Sequence, residues 1–600
     1  MTTKDSKAPI SPERLQQNLA RIESLTARLA EVLAHKKMIR PSLQGPGPEF
    51  FGRALGAFWA EVAKNPTKVW EEQVEYWGKT LQNAIEAQKA LLAGTDEEES
   101  AEGGKRDRRF SNPLWHKHPW FRYLRQQYQL TADMIERSVD ELEDVDEAER
   151  RRIRFFTRQI IDMMAPTNFL ATNPDALQRA IETEGQSLID GLENMIRDLE
   201  RNDGELLPTL SDPEAFKVGV NLATTEGAVV YRNRMFELIQ YAPRTETVHK
   251  TPLIIFPPWI NKFYILDLRP ENSLVRWIVD QGYTLFVVSW VNPDHTYADV
   301  GMVDYVEDGL LAAMREVKAI TGEEKINVVG YCIAGTTLAL TLSLMHQRGD
   351  RSVNAASFLT TLTDFSDPGE VGVFLEDDFV DGIEAEAKET GVMGSLYMKR
   401  TFSFLRANDL VYKPAIEAYM LGKAPPAFDL LYWNGDGTNL PGKMAVEYLR
   451  GLCQRDEFAH SEQGFALGEH RLRISDVDVP LCAVACESDH IAPWRLSYRG
   501  IRLMGSKDKT FLLSESGHVA GIVNPPTRKK YGHYTNPDWP AEPEDWKAGA
   551  TFHKSSWWPQ WEKWLAPRSG EMVPAREPGG KDHPPLCPAP GTYVLASPKI

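Results

Sequence analysis

The stretch Ile326-Asn-Val-Val-Gly-Tyr-Cys-Ile-Ala-Gly335, with Thr336-Thr-Leu-Ala-Leu-Thr-Leu-Ser-Leu344 behind it, decides how this chain is read. Ile326 to Gly330 is a short apolar run of the kind that forms a buried strand, and Thr336 to Leu344 reads as a helix. Between them, Gly330-Tyr-Cys-Ile-Ala-Gly335 places small residues on both sides of a cysteine. A sharp strand-to-helix turn needs such neighbours, because a Cβ has little room where strand and helix nearly touch. The pattern predicts a strand, a strained turn and a helix, with Cys332 as a nucleophile at the apex.

Outward from this turn, apolar runs of strand type recur at 252–256, 284–289, 355–362, 479–485 and 510–513. Helical segments such as 304–320 lie between several of them. Continuous apolar runs separated by crossover helices are the signature of buried parallel strands, and a doubly wound α/β sheet follows. Within such a sheet the Cys332 turn is the nucleophile elbow of the α/β-hydrolase type, with cysteine where most such enzymes carry serine. Ala334 takes the place of the second glycine of that motif, and Gly335 follows it. The interval from Cys332 to the next candidate residue, Asp489, is much longer than one βαβ unit requires. It holds an aromatic, partly helical segment, so a cap insertion is expected at about 370–450, above the carboxyl ends of the strands.

Before Val218 the texture is helical. Ser11-Pro12-Glu13 is a helix start, and Leu15, Leu19, Ile22, Leu25, Leu29 and Val32 form one apolar stripe that needs a partner surface. Packing on the protein's own helices is the plainer reading; a partner protein or a hydrophobic particle is the other. A second region carries Phe51, Leu55, Phe58, Trp59, Val62, Trp70, Val74 and Trp77. The polar segment that follows predicts a flexible loop over 95–109. The expected domains are therefore a helical N-terminal region over 1–205 and a catalytic domain over 206–600.

With 600 residues, 42 % hydrophobic and 10 % aromatic, the chain has the composition to bury a large core. A formal net charge of −17 argues against general nucleic-acid binding. No run of membrane-spanning length and no apolar signal region stands out, so a soluble, cytoplasmic protein is expected. Five scattered cysteines make no disulfide framework, and Cys482 and Cys486 read as buried strand residues rather than metal ligands. His116 and His118 lack a nearby third ligand, and Gly45-Pro-Gly-Pro48 lacks the features of a phosphate loop.

A cysteine acts as nucleophile when it is a thiolate, which requires a histidine near it. Among thirteen histidines, His518 lies in Ser514-Glu-Ser-Gly-His-Val-Ala-Gly521, a glycine-bracketed turn after a strand-type run. Asp489 ends the preceding strand-type run and starts a turn. The order Cys332, Asp489, His518 is the nucleophile, acid, histidine order of this fold. The N–H of Ile333 is the natural first oxyanion donor. Pro257 and Pro258 have no N–H, so Trp259 or Ile260 is the second, with Ile260 the candidate. His490, beside Asp489, is a candidate contact in a substrate channel, against a turn histidine that only satisfies its neighbours. Asp267 is a candidate for orienting the loop beneath the site, or for a helix start.

At these residues the chain resembles the class I polyhydroxyalkanoate synthases. The resemblance rests on the elbow Gly330–Thr336, on Pro257–Leu268, Ser289–Asp294, Leu431–Asn439 and Gly517–Pro526, and extends through Asn168–Pro174, Asn221–Val230 and Pro588–Val594. It implies polymerisation of (R)-3-hydroxyacyl groups from CoA thioesters into polyester, through a thioester on Cys332, with release of CoA. It further implies a homodimer working at a polyester granule surface, with Trp433 in the cap where family members dimerise. No cofactor or metal is needed by that mechanism. Asp489 either orients and charge-stabilises His518 or helps activate the attacking 3-hydroxyl. Val291 stands where many members have arginine, and Tyr412 where tryptophan is usual.

Two other functions fit parts of this pattern. An intracellular acyl-CoA thioesterase or polyester depolymerase uses the same triad with water as acceptor. A non-catalytic granule scaffold would associate through its N-terminal amphipathic helix and the cluster Trp557, Trp558, Trp561 and Trp564, although an intact triad counts against it.

Overall fold

A computed structural model of the chain describes residues 12–35, 66–93, 107–142, 145–367 and 369–597. The Ser11 cap, the run from Phe51 to Val62 and the loop positions 95–106 lie outside the described residues. The chain forms two compact units, one of residues up to 212 together with 400–426, the other of 213–399 together with 427 onward.

The first unit is helical. Helix Pro12–Ala34 lays Leu25 against Ile189 and Ile196 of helix Gln186–Arg201. Arg21 and Arg28 pair with Asp190 at 2.8 Å and Glu200 at 2.7 Å on that helix. The expected apolar stripe is thus only partly covered: Leu19 and Ile22 stay exposed, as do Val74 and Trp77 of helix Pro66–Ala93. Of the loop expected over 95–109, residues 107–109 are ordered. Asp107 caps the turn Arg108–Phe110, and Arg109 bridges Asp107 and the buried Asp162. Capping also explains Asn168–Pro174: the Asn173 side chain accepts the N–H groups of Asp175 and Ala176 and starts helix Pro174–Glu182 with proline in its first turn.

The second unit is built on an eleven-stranded sheet. Its strands in chain order are Gly227–Arg232 (β1), Phe236–Tyr241 (β2), Leu253–Phe256 (β3), Leu285–Trp290 (β4), Ile326–Tyr331 (β5), Val353–Leu359 (β6), Leu481–Cys486 (β7), Lys509–Ser514 (β8), His533–Thr535 (β9), Thr551–His553 (β10) and Cys587–Pro588 (β11). In space they run β10-β9-β8-β7-β6-β5-β3-β4-β2-β1-β11. The six from β8 to β4 are mutually parallel, and antiparallel strands extend both edges. Strands β3 to β8 read as uninterrupted apolar runs because both faces of a parallel sheet are covered. After β3 the chain steps to β4 on one side and then to β5 on the other. This reversal opens a crevice at the carboxyl ends of β3 and β5, where ligands of such sheets bind.

One expectation is corrected here. Trp557, Trp558, Trp561 and Trp564 are no association face: all four are buried in the core of this unit, and Trp561 Nε1 donates to Ser357 Oγ on β6. Trp433, on helix Asp429–Gly435 within the expected cap, is buried against this core and donates to the Lys262 carbonyl at 2.7 Å. Within 370–450 the chain forms helices Asp377–Thr390, Ser395–Leu405, Asp429–Gly435 and Gly442–Glu447, but 400–426 groups with the helical unit. There Gly191 meets this segment so closely that a Cβ would lie 1.9 Å from the Tyr419 carbonyl oxygen. Cys482 and Cys486 lie buried on β7.

Candidate active site

Strand β5 runs directly into Cys332, whose backbone sits at φ 55°, ψ −125°, and helix Ile333–Gln347 begins at the next residue. A non-glycine residue held there stores roughly 1–3 kcal/mol of strain. Hydrogen bonds hold it: the Cys332 N–H donates to Leu359 O of β6 at 2.8 Å, and the Gly335 N–H donates to Cys332 O at 2.9 Å. Two glycines make the turn possible. A Cβ on Gly330 would lie 2.6 Å from Gly335 Cα, and one on Gly335 would lie 2.0 Å from Thr361 Oγ1. Ala334, fully buried, fits in place of the second glycine of the usual motif, because the closest approach falls one residue later, at Gly335.

Strand β7 pairs with β8 in a register that sets Cys486 opposite Ser514, so the turns that follow both strands leave the sheet together. Asp489 occupies the first turn and His518 the second. The Asp489 Oδ1 accepts the N–H groups of Ile491 and Ala492 at 2.8 and 2.9 Å, and Oδ2 accepts from His518 Nδ1 at 2.7 Å. Both side chains are buried. With Nδ1 committed to the carboxylate, Nε2 is left for the thiol. The His518 turn is itself clamped. Ser514 Oγ and Trp557 Nε1 both donate to the Gly521 carbonyl, Trp558 Nε1 donates to Ile522 O, and a Cβ on Gly521 would lie 2.4 Å from Cys486 Sγ.

Burial disfavours a charged His518, but the Asp489 carboxylate and the Cys332 sulfur, which also hydrogen-bonds the ring, outweigh it. The imidazole is therefore held protonated well above the ordinary histidine range. A protonated imidazole set between a carboxylate and a cysteine sulfur is the surrounding in which a cysteine serves as nucleophile.

The oxyanion candidates lie on neighbouring strands. Ile333 opens the helix behind the nucleophile, where N–H groups have no earlier carbonyl to satisfy them. Phe256 of β3 pairs with Gly330 of β5, so the turn at Trp259 and Ile260 follows directly beside the elbow. Trp259 Nε1 donates to Thr337 Oγ1 at 3.1 Å, and Thr438 Oγ1 donates to the Trp259 carbonyl at 2.9 Å, which fixes that turn against the elbow helix. His490 follows Asp489 in its turn and is half-buried. Asp267 faces away from this chemistry: it accepts from Thr225 Oγ1 and Ser273 Oγ, both at 2.6 Å, and so braces the start of helix Leu274–Asp280.

Two aromatic residues at the site escaped the sequence reading. Tyr331 stacks on His518 with ring centres 6.0 Å apart and planes 25° apart. Its place next to the nucleophile was the available signal. Tyr448 sits on a helical turn over 448–454, packs on Trp259 and Phe365, and hydrogen-bonds Thr336 and Cys453. Burial, then the Cys453 and Cys332 sulfurs, hold its phenol protonated. Nothing in the sequence around Tyr448 marks it, since chain folding alone brings it to Cys332.

The profile described as "Poly-beta-hydroxybutyrate polymerase (PhaC) N-terminus" matches residues 106–278, and that of the alpha/beta hydrolase fold matches 243–525. A poly(3-hydroxyalkanoate) polymerase of Methylorubrum extorquens is 39 % identical over 590 residues, covering 94 % of this chain and 96 % of that protein. The chain belongs to the poly(3-hydroxyalkanoate) polymerase family. Subunits called poly(3-hydroxyalkanoate) polymerase subunit PhaC are 36 % identical in Rhizobium meliloti, over 97 % of this chain and 95 % of that one, and 42 % identical in Cupriavidus necator, over 83 % and 84 %. Polymerase similarity thus runs through the helical unit as well as the sheet. Among the described residues no helix is long and apolar enough to cross a membrane.

Proposed function

We propose that this chain is a polyester synthase that moves (R)-3-hydroxyacyl groups from CoA thioesters onto a growing polyhydroxyalkanoate chain through Cys332. The observation that carries this reading is polymerase similarity over nearly the whole chain, joined to a cysteine at the elbow apex and a buried His518–Asp489 pair.

In the resting pair His518 Nε2 carries the proton given up by Cys332 Sγ, and the sulfur attacks the thioester carbonyl. The oxyanion is met by the N–H of Ile333 and by an N–H from the turn at Trp259 and Ile260. The intermediate collapses, the C–S bond to CoA breaks, and CoA leaves with the proton from His518. Exchange between two thioesters is nearly balanced in energy. A 3-hydroxyl then gives its proton to His518 and attacks the acyl group on Cys332, forming an oxygen ester and freeing the thiol. That step is downhill and drives growth. Both Asp489 oxygens are engaged by His518 and two backbone N–H groups, which favours the orienting role over direct contact with the hydroxyl.

The acyl-enzyme must be kept from water, since hydrolysis ends the chain. Trp259, Phe365 and Tyr448 supply an apolar wall beside Cys332, and the segments 370–399 and 427–450 of the same unit serve as the cap. No cofactor or metal takes part in this chemistry. His490 contacts substrate at the channel mouth. The enzyme works as a cytoplasmic homodimer at the granule surface, which light scattering and granule sedimentation test.

The deciding experiment is release of CoA from (R)-3-hydroxybutyryl-CoA with the product sized, in parallel with Cys332→Ala. Polymer from the wild type alone is the expected result. Free 3-hydroxybutyrate without polymer makes the protein a thioesterase, and no CoA release with this or longer acyl chains leaves the scaffold.

A further inference from the structure

Away from the triad, in the second unit, three ligating side chains converge. Asp364 lies in the segment after β6 and is 2 % exposed. Asp456 lies just past the turn Tyr448–Gln454, with its backbone held at φ 47° and 9 % exposure. His460 stands one helical step further on, at the surface. One ligand atom from each falls within 4.8 Å of the other two.

The chemistry of this trio is unbalanced. Both Asp456 oxygens are sealed from water without a hydrogen bond of normal geometry, and Asp364 faces them. Among the described residues the ion pairs of these carboxylates are with His460 alone, at 3.3 Å from Asp364 Oδ1 and 3.7 Å from Asp456 Oδ2. Two buried carboxylates facing each other, one of them without a hydrogen bond of normal geometry and both sharing a single exposed imidazole, are a costly arrangement for a fold to hold. Burial first, and then the charge of Asp364, push the Asp456 carboxyl up to about 6, against the pull of the Phe365 N–H and His460.

We propose that Asp364, Asp456 and His460 bind one first-row divalent cation, Mn²⁺ or Zn²⁺, outside the catalytic triad. Two carboxylates with one imidazole suit such ions, carboxylates favouring Mn²⁺ and imidazole favouring Zn²⁺. The spacing suits them too: ligands about 2.0–2.1 Å from a tetrahedral metal stand roughly 3.3–3.4 Å apart, close to the two distances from His460. The exposed ring of His460 gives the ion its way in. Its role is to tie the segment after β6 to the turn at 456–460. Phe365 of that segment packs edge-on against Tyr448, with ring centres 6.1 Å apart, and Tyr448 hydrogen-bonds Thr336 beside Cys332. The ion thus braces the wall of the active site without touching substrate.

The test uses the full chain, stripped with chelator and desalted. Mn²⁺ is titrated in and the free ion read by electron paramagnetic resonance, followed by competition with Zn²⁺. The expected result is one site per chain that weakens at least about tenfold in Asp456→Asn and in His460→Ala, with the ion raising the melting temperature of the wild type alone. His460→Ala removes only an exposed ring, so it decides the matter if Asp456→Asn does not fold. No site tighter than millimolar, or a site that both substitutions leave unchanged, overturns the proposal and leaves an adventitious ion only. Because the readout is binding, its failure leaves the synthase reading untouched, and failure of that reading leaves the site untouched.

Discussion

Replacing Asp489 by asparagine keeps the shape of the turn and removes one charge from a buried pair. The Asp489 Oδ2 lies 2.7 Å from His518 Nδ1, and both side chains are shut away from water. Breaking such a pair by removing one partner costs about 3–5 kcal/mol. If that loss falls on the transition state, the rate drops roughly 10²–10⁴-fold, at about 1.36 kcal/mol per decade. The two roles open to Asp489 separate in a single-turnover experiment. An Asp489 that orients His518 serves both transfers, so the first release of CoA and later chain growth fall together. An Asp489 that activates the 3-hydroxyl serves only growth, and the first release survives. Because Oδ1 is already taken by Ile491 and Ala492, both steps are expected to fall within about tenfold of each other. Quenched-flow measurement of the first CoA equivalent against steady-state release checks this. A full wild-type burst with growth abolished refutes the reasoning.

The same pair has a pH signature. The folded pKa of His518 is raised, so its stabilisation is whole below the unfolded histidine value of about 6.5 and fades as pH climbs through the folded value; urea midpoints of wild type and Asp489→Asn should differ most near pH 6 and converge in alkaline buffer. Gly335→Ala forces a Cβ within 2.0 Å of Thr361 Oγ1; a loss of about 1–3 kcal/mol in urea unfolding and slower CoA release are expected, with partial recovery in the Gly335→Ala, Thr361→Ala double variant. Trp561→Ala, at a fully buried ring bonded to Ser357, should cost about 3–5 kcal/mol by denaturation, whereas a granule-facing tryptophan would leave stability unchanged. Tyr448→Phe removes a hydroxyl bonded to Thr336 and Cys453 beside Cys332; alkylation of Cys332 by iodoacetamide should slow by about tenfold, a loss of roughly 1.4 kcal/mol, while the fold persists.

The sheet was legible wherever burial on both faces left continuous apolar runs: 252–256, 284–289, 326–330, 355–362, 479–485 and 510–513 all lie on or across the parallel strands β3 to β8. The antiparallel edges β1, β2, β9, β10 and β11 carry no such signal, because short strands at the rim of a sheet mix polar and apolar residues freely. Cys332, Asp489 and His518 were readable because each sits at a strand end with its own turn chemistry. The tryptophan cluster misled for a related reason. Four tryptophans within eight residues look like a sticky surface, yet Trp557 and Trp558 donate to carbonyls at Gly521 and Ile522, 36 residues upstream, and Trp561 donates to Ser357. Tyr448 and the Asp364, Asp456, His460 trio depend on contacts between segments far apart in sequence, and no local pattern encodes those.

The claim on which everything else depends is that Cys332 carries the acyl group and passes it to a hydroxyl. The most direct measurement is intact mass spectrometry of the chain, quenched in acid after brief exposure to 3-hydroxybutyryl-CoA, with peptide mapping of the adduct. The account predicts hydroxyacyl additions on Cys332, growing by whole monomer units with time, absent in Cys332→Ala and slow to form in His518→Ala. Wild-type polymer accompanied by an adduct on another residue, or by none in Cys332 at any quench time, contradicts it.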